Sequence, residues 1–404
     1  MYKTGTNFED MQEMNRALVI RLLRFKKIWS RTEIAQKTGL KKATITNIIN
    51  DFLKLGLVKE TGPLYGKKHR RIIGISLNDE NYAVIGMRLS RNFFSVGLFD
   101  IAGIKYDYIL DKIDPLLGPE IALEKIKATI KNLLKSSSLK KQVVGMGMAI
   151  PGPYFSHKGR IALMTEFPGW GEIAFEEEFK SEFDIPIYFE HDANAAAVSE
   201  WWYGEDNREI GTLIYIFITE GVGAGIIIDG NVYKGKLGTA GEIGHMTVNI
   251  KGPECECGNR GCLENYCSTV ALIKETKEKL TKYPKSILHK DCSIEKLFLA
   301  FNKGDELARE VIINSAEYLG YGIVNIINSF NPDTVVIGGE IINAGAEFLD
   351  ILKNNIKQHT LPEIYANTKI KFSFIKEDAV VLGSSAIATE KFFHSLINTK
   401  NSRS

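Results

Sequence analysis

Residues 241–264 read GEIGHMTVNIKGPECECGNRGCLE. One histidine, His245, precedes three cysteines, Cys255, Cys257 and Cys262, in the spacing His-x9-Cys-x-Cys-x4-Cys. One imidazole and three thiolates form a four-coordinate donor set suited to zinc. Gly258 and Gly261 permit the sharp bends that bring closely spaced thiols onto one ion. Four protein ligands leave no open position for water, so the expected ion is structural, one zinc per chain, pinning the loop from Glu242 to Glu264. The competing reading is a loop of reduced cysteines. Both ends of the loop carry a carboxylate, and carboxylates accept hydroxyl protons in sugar sites. Cys267 and Cys292 fall outside the spacing and read as ordinary or buried thiols. Five cysteines, odd in number and unevenly spread, do not make a disulfide framework.

Outward from this loop the texture alternates between strands and helices. "YAVIGMRLS" and "FFSVGLFDIAG" read as a β-hairpin, residues 119–137 as a helix, and "QVVGMGMAIPGP" as a buried strand ending in a turn. "IPIYFEHDANAAAVSEWWYG" reads as strand, loop and helix; "TLIYIFITEGVGAGIIIDGNVYKG" as two strands around a glycine-rich turn. A long helix and a strand ending in Gly338-Gly339 follow. Strands followed by glycine turns and helices indicate an α/β fold with clefts at strand ends. No short-period repeat is visible.

The front end differs. Residues 15–25 show helical apolar spacing with arginines on the other face. From Ser30 the chain reads SRTEIAQKTGLKKATITNIINDFLKLGLVKETG. Ser30 with Glu33 is a capping box, Gly39 a tight turn, and Ile45, Ile48, Ile49, Phe52 and Leu55 the apolar stripe of a second helix from about Lys42 to Leu55. Small Ala35, turn glycine Gly39 and branched Ile45 match a helix-turn-helix. The second helix turns Lys41, Lys42, Ala43, Thr44, Thr46 and Asn47 outward, with Arg31 at the start of the first. Those side chains suit groove edges and phosphates. Two short strands around Lys67, Lys68, His69, Arg70 and Arg71 then read as a wing reaching the DNA backbone or minor groove. A plain helical hairpin with a solvated charge run is the alternative.

Charge supports the division. Residues 1–78 hold 16 Lys+Arg against 6 Asp+Glu, a surplus of +10; the remainder holds 35 against 43, a deficit of −8. A basic module on an acidic body suggests that the front end meets a polyanion. A length of 404 residues, 44% hydrophobic and 25% charged, suggests two or three globular domains. No apolar run reaches bilayer length, and no signal core follows Met1, so the expected compartment is the cytoplasm, with no membrane partner.

"GEIGH", "CECGNRGCLE", "EHDANAAAVSE" and "TEGVGAGI" together resemble the ROK family of repressors and sugar kinases. The winged head resembles its repressor branch, which includes xylose repressors and regulators of glucose and N-acetylglucosamine uptake. The resemblance implies an α/β chain in three segments. A winged helix-turn-helix spans 1–78, and a two-lobed actin/hexokinase-like (ribonuclease H-like) ROK domain follows. Lobe 1 is 79–195, with the C-terminal helix 379–404 packing back on it; lobe 2 is 196–378, with the zinc loop. It also implies that Asp192 falls at the kinase general base, which also bonds a sugar hydroxyl. Glu242 and Glu264 fall at hydroxyl acceptors, and His245 at a zinc ligand facing the sugar. Pro168-Gly169-Trp170 resembles the loop that closes over the sugar, giving Gly169 a binding role; the competing reading makes Trp170 a lone core aromatic. His191, also assigned to the sugar site, stands where the family usually has Asn, and Lys41 where related heads often have a serine cap.

Family members with kinase activity carry an Asp-x-Gly-Gly-Thr turn in the first hairpin, whose glycines admit ATP phosphates. This chain has GMRLSRNFF there, with Arg88, Leu89, Ser90 and Arg91 in place of the acid and glycines. Gly221–Gly225 and Gly338-Gly339 remain. The expected function is therefore a non-enzymatic, sugar-responsive repressor of carbohydrate utilisation genes, xylose among the candidate sugars. As a homodimer or tetramer it would bind palindromic double-stranded operator DNA and leave it when a monosaccharide binds. The alternative is an active ATP-dependent sugar kinase with a DNA-binding head.

Overall fold

The computed structural model of the chain describes all residues except 1–7, 26–27, 66–70, 136–140, 153, 156–158, 162–168, 206–209, 376 and 399–404. Helix α1 (Phe8–Phe25) begins well before the apolar stretch that signals it. Val19, Ile20 and Leu23 are its buried anchors. After the two-residue strand β1 (Trp29–Ser30), Ser30 caps α2 (Arg31–Thr38). Its hydroxyl accepts the Glu33 amide at 3.1 Å while the Glu33 carboxylate accepts the Ser30 amide at 2.8 Å. Gly39 makes the turn in the left-handed region at φ 70°, which a Cβ disfavours. Helix α3 (Lys42–Lys54) buries Ile45, Ile48, Ile49 and Phe52. Lys41 occupies its cap position without a side-chain hydrogen bond. Strands β2 (Val58–Tyr65) and β3 (Arg71–Leu77) pair antiparallel, and β1 joins the far side of β3. That third strand is too short for periodicity to reveal it.

Next come β4 (Tyr82–Leu89), β5 (Phe93–Asp100), β6 (Lys105–Lys112), α4 (Pro119–Lys135) and β7 (Gln142–Ile150). The short β8 (Tyr154–Phe155) and β9 (Arg160–Ile161) precede α5 (Phe175–Lys180), β10 (Ile187–His191) and α6 (Asp192–Tyr203). The loop expected between β10 and its helix is missing: α6 starts directly at Asp192, an acidic first residue that complements the positive end of the helix dipole. Then follow β11 (Thr212–Ile218), β12 (Val222–Ile228), β13 (Asn231–Val232), α7 (Glu264–Cys267), α8 (Thr269–Lys279), α9 (Ile294–Asn302) and α10 (Glu306–Phe330). Strand β14 (Thr334–Gly339), α11 (Gly345–His359), α12 (Pro362–Asn367), β15 (Lys369–Phe372) and α13 (Ala379–Asn398) complete the chain.

Two five-stranded sheets have the orders β10-β7-β4-β5-β6 and β13-β12-β11-β14-β15. These are one topology used twice. In each, three consecutive strands form an antiparallel meander, and the next strand pairs in parallel with the first of them. The duplication is invisible in the residues because topology constrains burial rather than identity. Close helix approach is arranged by glycine. A Cβ at Gly86 or Gly147 would overlap the α13 backbone at Val381 and Ser384, and one at Gly225 would overlap the Ala193 carbonyl of α6.

By compactness the chain divides into Met1–Ala149 with Ala174–Glu190 and Val381–Ser404, and Ile150–Ile173 with His191–Val380. The breaks do not coincide with the expected boundaries at 78/79 and 195/196. In the first unit the head's core of Val19, Ile34, Ile45, Phe52 and Ile75 continues past residue 78 to Ile101, Phe393 and Ile397. Tyr82 joins it, donating its hydroxyl to the Leu55 carbonyl at 2.9 Å and lying 5.0 Å from the Phe392 ring. In the second unit β11 and β14, buried on both faces, pack Ile214, Ile216, Val335 and Ile337 against α10 and α11. Among the described residues no helix is long and apolar enough to cross a membrane.

Candidate functional site

The ligand atoms of His245, Cys255, Cys257 and Cys262 all lie within 4.8 Å of one another. His245 Nδ1 is 3.7 Å from Cys255 Sγ, and the sulfurs of Cys257 and Cys262 are 3.7 Å apart. A tetrahedral ion with sulfurs at about 2.3 Å sets its ligands about 3.8 Å apart, so the donor set fits a metal ion. Backbone shape enforces the cluster. Gly258 and Gly261 adopt φ 87° and 68°. A Cβ on Gly261 would overlap the Asn249 carbonyl oxygen. Thr247 bridges Cys262, and Asn259 donates to the His245 carbonyl at 3.1 Å. Desolvation is the first cause that pushes the Cys262 thiol up to about 12 and also raises Cys255, with the clustered thiols adding to it. A bound cation reverses that balance by favouring thiolate. Cys267 and Cys292 are buried away from the set, and Cys267 donates to the Ser315 carbonyl at 3.4 Å.

Five of the expected sugar residues converge beside this cluster. Burial raises the Glu242 carboxyl above its ordinary value; His191 and His245 pull it back, and Asp192 and Glu264 push it further up. Glu242 thus senses the charge of all four. His191, at the end of β10, holds Nε2 3.3 Å from Asp192 Oδ1. The same Asp192 oxygen accepts the Ala193 amide at 2.7 Å. Glu264 opens α7 and accepts the Val222 amide at 3.2 Å, which ties the loop to the glycine-rich turn. His245 belongs to both groups: Nδ1 faces the thiols, so Nε2 is left for a second partner. Gly169 adopts φ 86° immediately before the turn Trp170–Glu172. Trp170 is 1% exposed and is a core aromatic, while Pro168 lies outside the described residues.

The glycines that suggested a nucleotide site have packing reasons of their own. A Cβ on Gly221 would come within 2.9 Å of Glu264 Oε2, one on Gly338 would overlap the Tyr215 hydroxyl, and one on Gly339 the Ile218 carbonyl. The β4–β5 turn holds side chains instead of glycines: Ser90 is buried, and the Arg88 guanidinium sits 5.0 Å from the Phe93 ring centre.

On the head, Lys41, Lys42, Ala43, Thr46 and Asn47 are exposed along one face of α3, and Thr44 is half-buried. Thr46 donates its hydroxyl to the Lys42 carbonyl at 2.9 Å. Arg31 is ion-paired with Glu60 of β2 at 2.9 Å, a partner that sequence spacing does not reveal. Asn50 is exposed on the same face, one turn beyond Asn47, and was missed although that three-residue step points to it. Lys67, Lys68 and Arg70 lie outside the described residues, and Arg71 opens β3.

Residues 117–391 match the model of the ROK family. The xylose repressor of Caldicellulosiruptor bescii is 32% identical over 389 residues, covering 93% of this chain and 96% of its own. The DNA-binding transcriptional dual regulator NagC of Escherichia coli K12 is 31% identical over 373 residues, covering 90% and 89%. A crystal structure described as a ROK family transcriptional regulator, homolog of the E. coli MLC protein, superposes with TM-score 0.80 at 25% identity, covering 96% of this chain and 98% of its own. With a winged helix-turn-helix before two sheets of the actin/hexokinase-like order, and with these matches over most of its length, the chain belongs to the ROK family.

Proposed function

We propose that the protein is a sugar-responsive, DNA-binding transcriptional repressor of carbohydrate utilisation genes, a sensor rather than an enzyme. The observation that carries this reading is its near full-length similarity to proteins named xylose repressor and NagC, head included. The exposed face of α3 would enter the major groove, with Lys41 and Lys42 on phosphates and Thr44, Thr46, Asn47 and Asn50 toward base edges. The basic wing, Lys67, Lys68, Arg70 and Arg71, would add sequence-independent affinity. Two heads of a dimer fit a palindrome by symmetry.

The effector is a monosaccharide held by His191, Asp192, Glu242, His245 and Glu264. A polyol needs several fixed acceptors, and three carboxylates supply them. The ion is zinc, held by His245, Cys255, Cys257 and Cys262. Its role is structural: it fixes the loop and the His245 tautomer, leaving the Nε2 proton to donate to a sugar oxygen. Xylose and an amino sugar are the first candidates, because relatives of similar identity are named for each. Release requires that the sugar bind the DNA-free state more tightly than the DNA-bound one. The kinase reading is disfavoured by the first hairpin, where Arg88 and Leu89 at the end of β4 and Ser90 and Arg91 just beyond it stand in place of the acid and glycines that let backbone approach phosphate.

An operator gel shift with and without pentoses, hexoses and amino sugars tests the reading. DNA binding relieved by one sugar is expected. Unchanged affinity across the saturating panel would remove the effector, and ATP-dependent phosphorylation by the purified protein would restore the kinase.

A further inference from the structure

The DNA-binding head is fastened at two places, and neither is a free tether. Residues 78–81, between β3 and β4, lie against the head. Asn78 and Asn81 both donate their side-chain amides to the Gly56 carbonyl, at 3.1 and 3.3 Å. Asp79 and Glu80 both pair with the Lys59 ammonium of β2, at 2.5 and 2.7 Å. Lys141, just before β7, donates to the Asp79 carbonyl.

The second fastening is α13. Its first half lies on the first sheet, where the Val381 carbonyl takes the space of a Cβ on Gly86 and the Ser384 carbonyl that of one on Gly147. Its last turns lie in the head. Phe393 and Ile397 are 2% and 5% exposed, within the core of Val19, Ile45 and Phe52, and Phe392 and Leu396 pack at its edge. Arg24 of α1 reaches Glu390 at 3.9 Å. A close-packed interior transmits a displacement rather than absorbing it, so head, α13 and first sheet move as one body.

The sugar residues lie elsewhere. His191, Asp192, Glu242, His245 and Glu264 fall in the second compact unit and the head in the first. Helix α13 joins the two along the chain: Ala379 and Val380 belong to the second unit, Val381 onward to the first.

We propose that α13 carries the sugar signal to the operator, with Phe393 and Ile397 as positioning residues that make the head follow the first sheet. This rests on the reading of the protein as a sugar sensor on DNA. A loosely tethered head would keep its grip on a half-site whatever the sugar did to the body. A head locked to α13 is re-aimed by any shift of that helix.

Phe393→Ala in the full-length chain tests it, beside the conservative Phe393→Leu and His394→Ala, an exposed neighbour. The first readout is hydrogen exchange without sugar or DNA. In wild type, α3 and β4 should lose protection at the same denaturant concentration. In Phe393→Ala, α3 should exchange at least about tenfold faster with β4 unchanged. Independent opening of α3 in wild type overturns the lock. The second readout is the ratio of operator Kd with and without the releasing sugar. Phe393→Ala should bring that ratio at least about threefold closer to one, with sugar affinity within about twofold of wild type. Phe393→Leu should recover most of the response, and His394→Ala should match wild type. An unchanged ratio in Phe393→Ala, with α3 loosened, overturns α13 as the route. If Phe393→Ala does not fold, Ile397→Val is read in the same way, with a drop in the ratio of about twofold expected. Wild-type protein that binds no operator, or that no sugar releases, sinks the sensor reading and the signal route with it, while the lock stands or falls on the exchange result.

Discussion

At Glu242 the cost of burying a carboxylate meets the proposed contact to a sugar hydroxyl. Burial lifts its carboxyl above the ordinary range despite the attraction of His191 and His245. The folded value therefore lies above the unfolded one. Between them the unfolded chain has lost a proton that the folded chain keeps, so ionisation destabilises the fold as pH rises through that window. Glu242→Gln is expected to raise the sugar-free Tm relative to wild type at neutral pH, and to lose that advantage below the carboxylate range. Sugar affinity should fall at least about tenfold, because an ionised acceptor is lost. Calorimetry at two pH values checks both; a lower Tm at neutral pH would contradict the burial argument. Cys262 gives the metal its own test. Cys262→Ser should abolish stoichiometric zinc and lower Tm by roughly 5–10 °C, read by metal analysis and thermal melting. Zinc retention in the wild type should weaken as pH falls, since protons compete for thiolates.

At the scale of elements, close approach between helix and sheet is what glycine secures. The carbonyl of Ser384 on α13 occupies the space a Cβ on Gly147 would need. Gly147→Ala should therefore destabilise the protein by about 2–3 kcal/mol, whereas Gly62→Ala, with open space around it, should cost under about 0.5 kcal/mol. Denaturant midpoints separate the two. Helix α3 is read by a different experiment. Lys42→Ala should weaken all DNA about equally and lower the salt slope by about one, while Asn47→Ala should relax preference at one base pair by about 1–3 kcal/mol. If Asn47→Ala behaves like Lys42→Ala in a binding-site selection, Asn47 is a phosphate contact. The elements themselves were largely legible. Capping box, turn glycine and apolar stripe each act within a few residues, so α2 and α3 lie where Ser30, Gly39 and Ile45 indicate. Strand β1 and the outer half of α1 were not legible, because two residues carry no period and an exposed apolar stripe blurs the helical one.

For the whole molecule, thermodynamic linkage makes the sensor reading quantitative. Whatever factor the effector sugar removes from operator affinity, saturating operator must remove from sugar affinity. Titration calorimetry of sugar into free and operator-bound protein measures it; equal sugar affinities alongside sugar-dependent DNA release would exclude direct coupling. The sequence by itself determined the head, the spacing of the metal ligands and the loss of glycine from the first hairpin turn, because each depends on residue type within a short span. Tertiary structure alone decided that Arg31 is held by Glu60 and that Trp170 is core. It also decided that both sheets follow one strand order. Such facts depend on which distant segments pack together, and burial and pairing across long separations leave no local period to read.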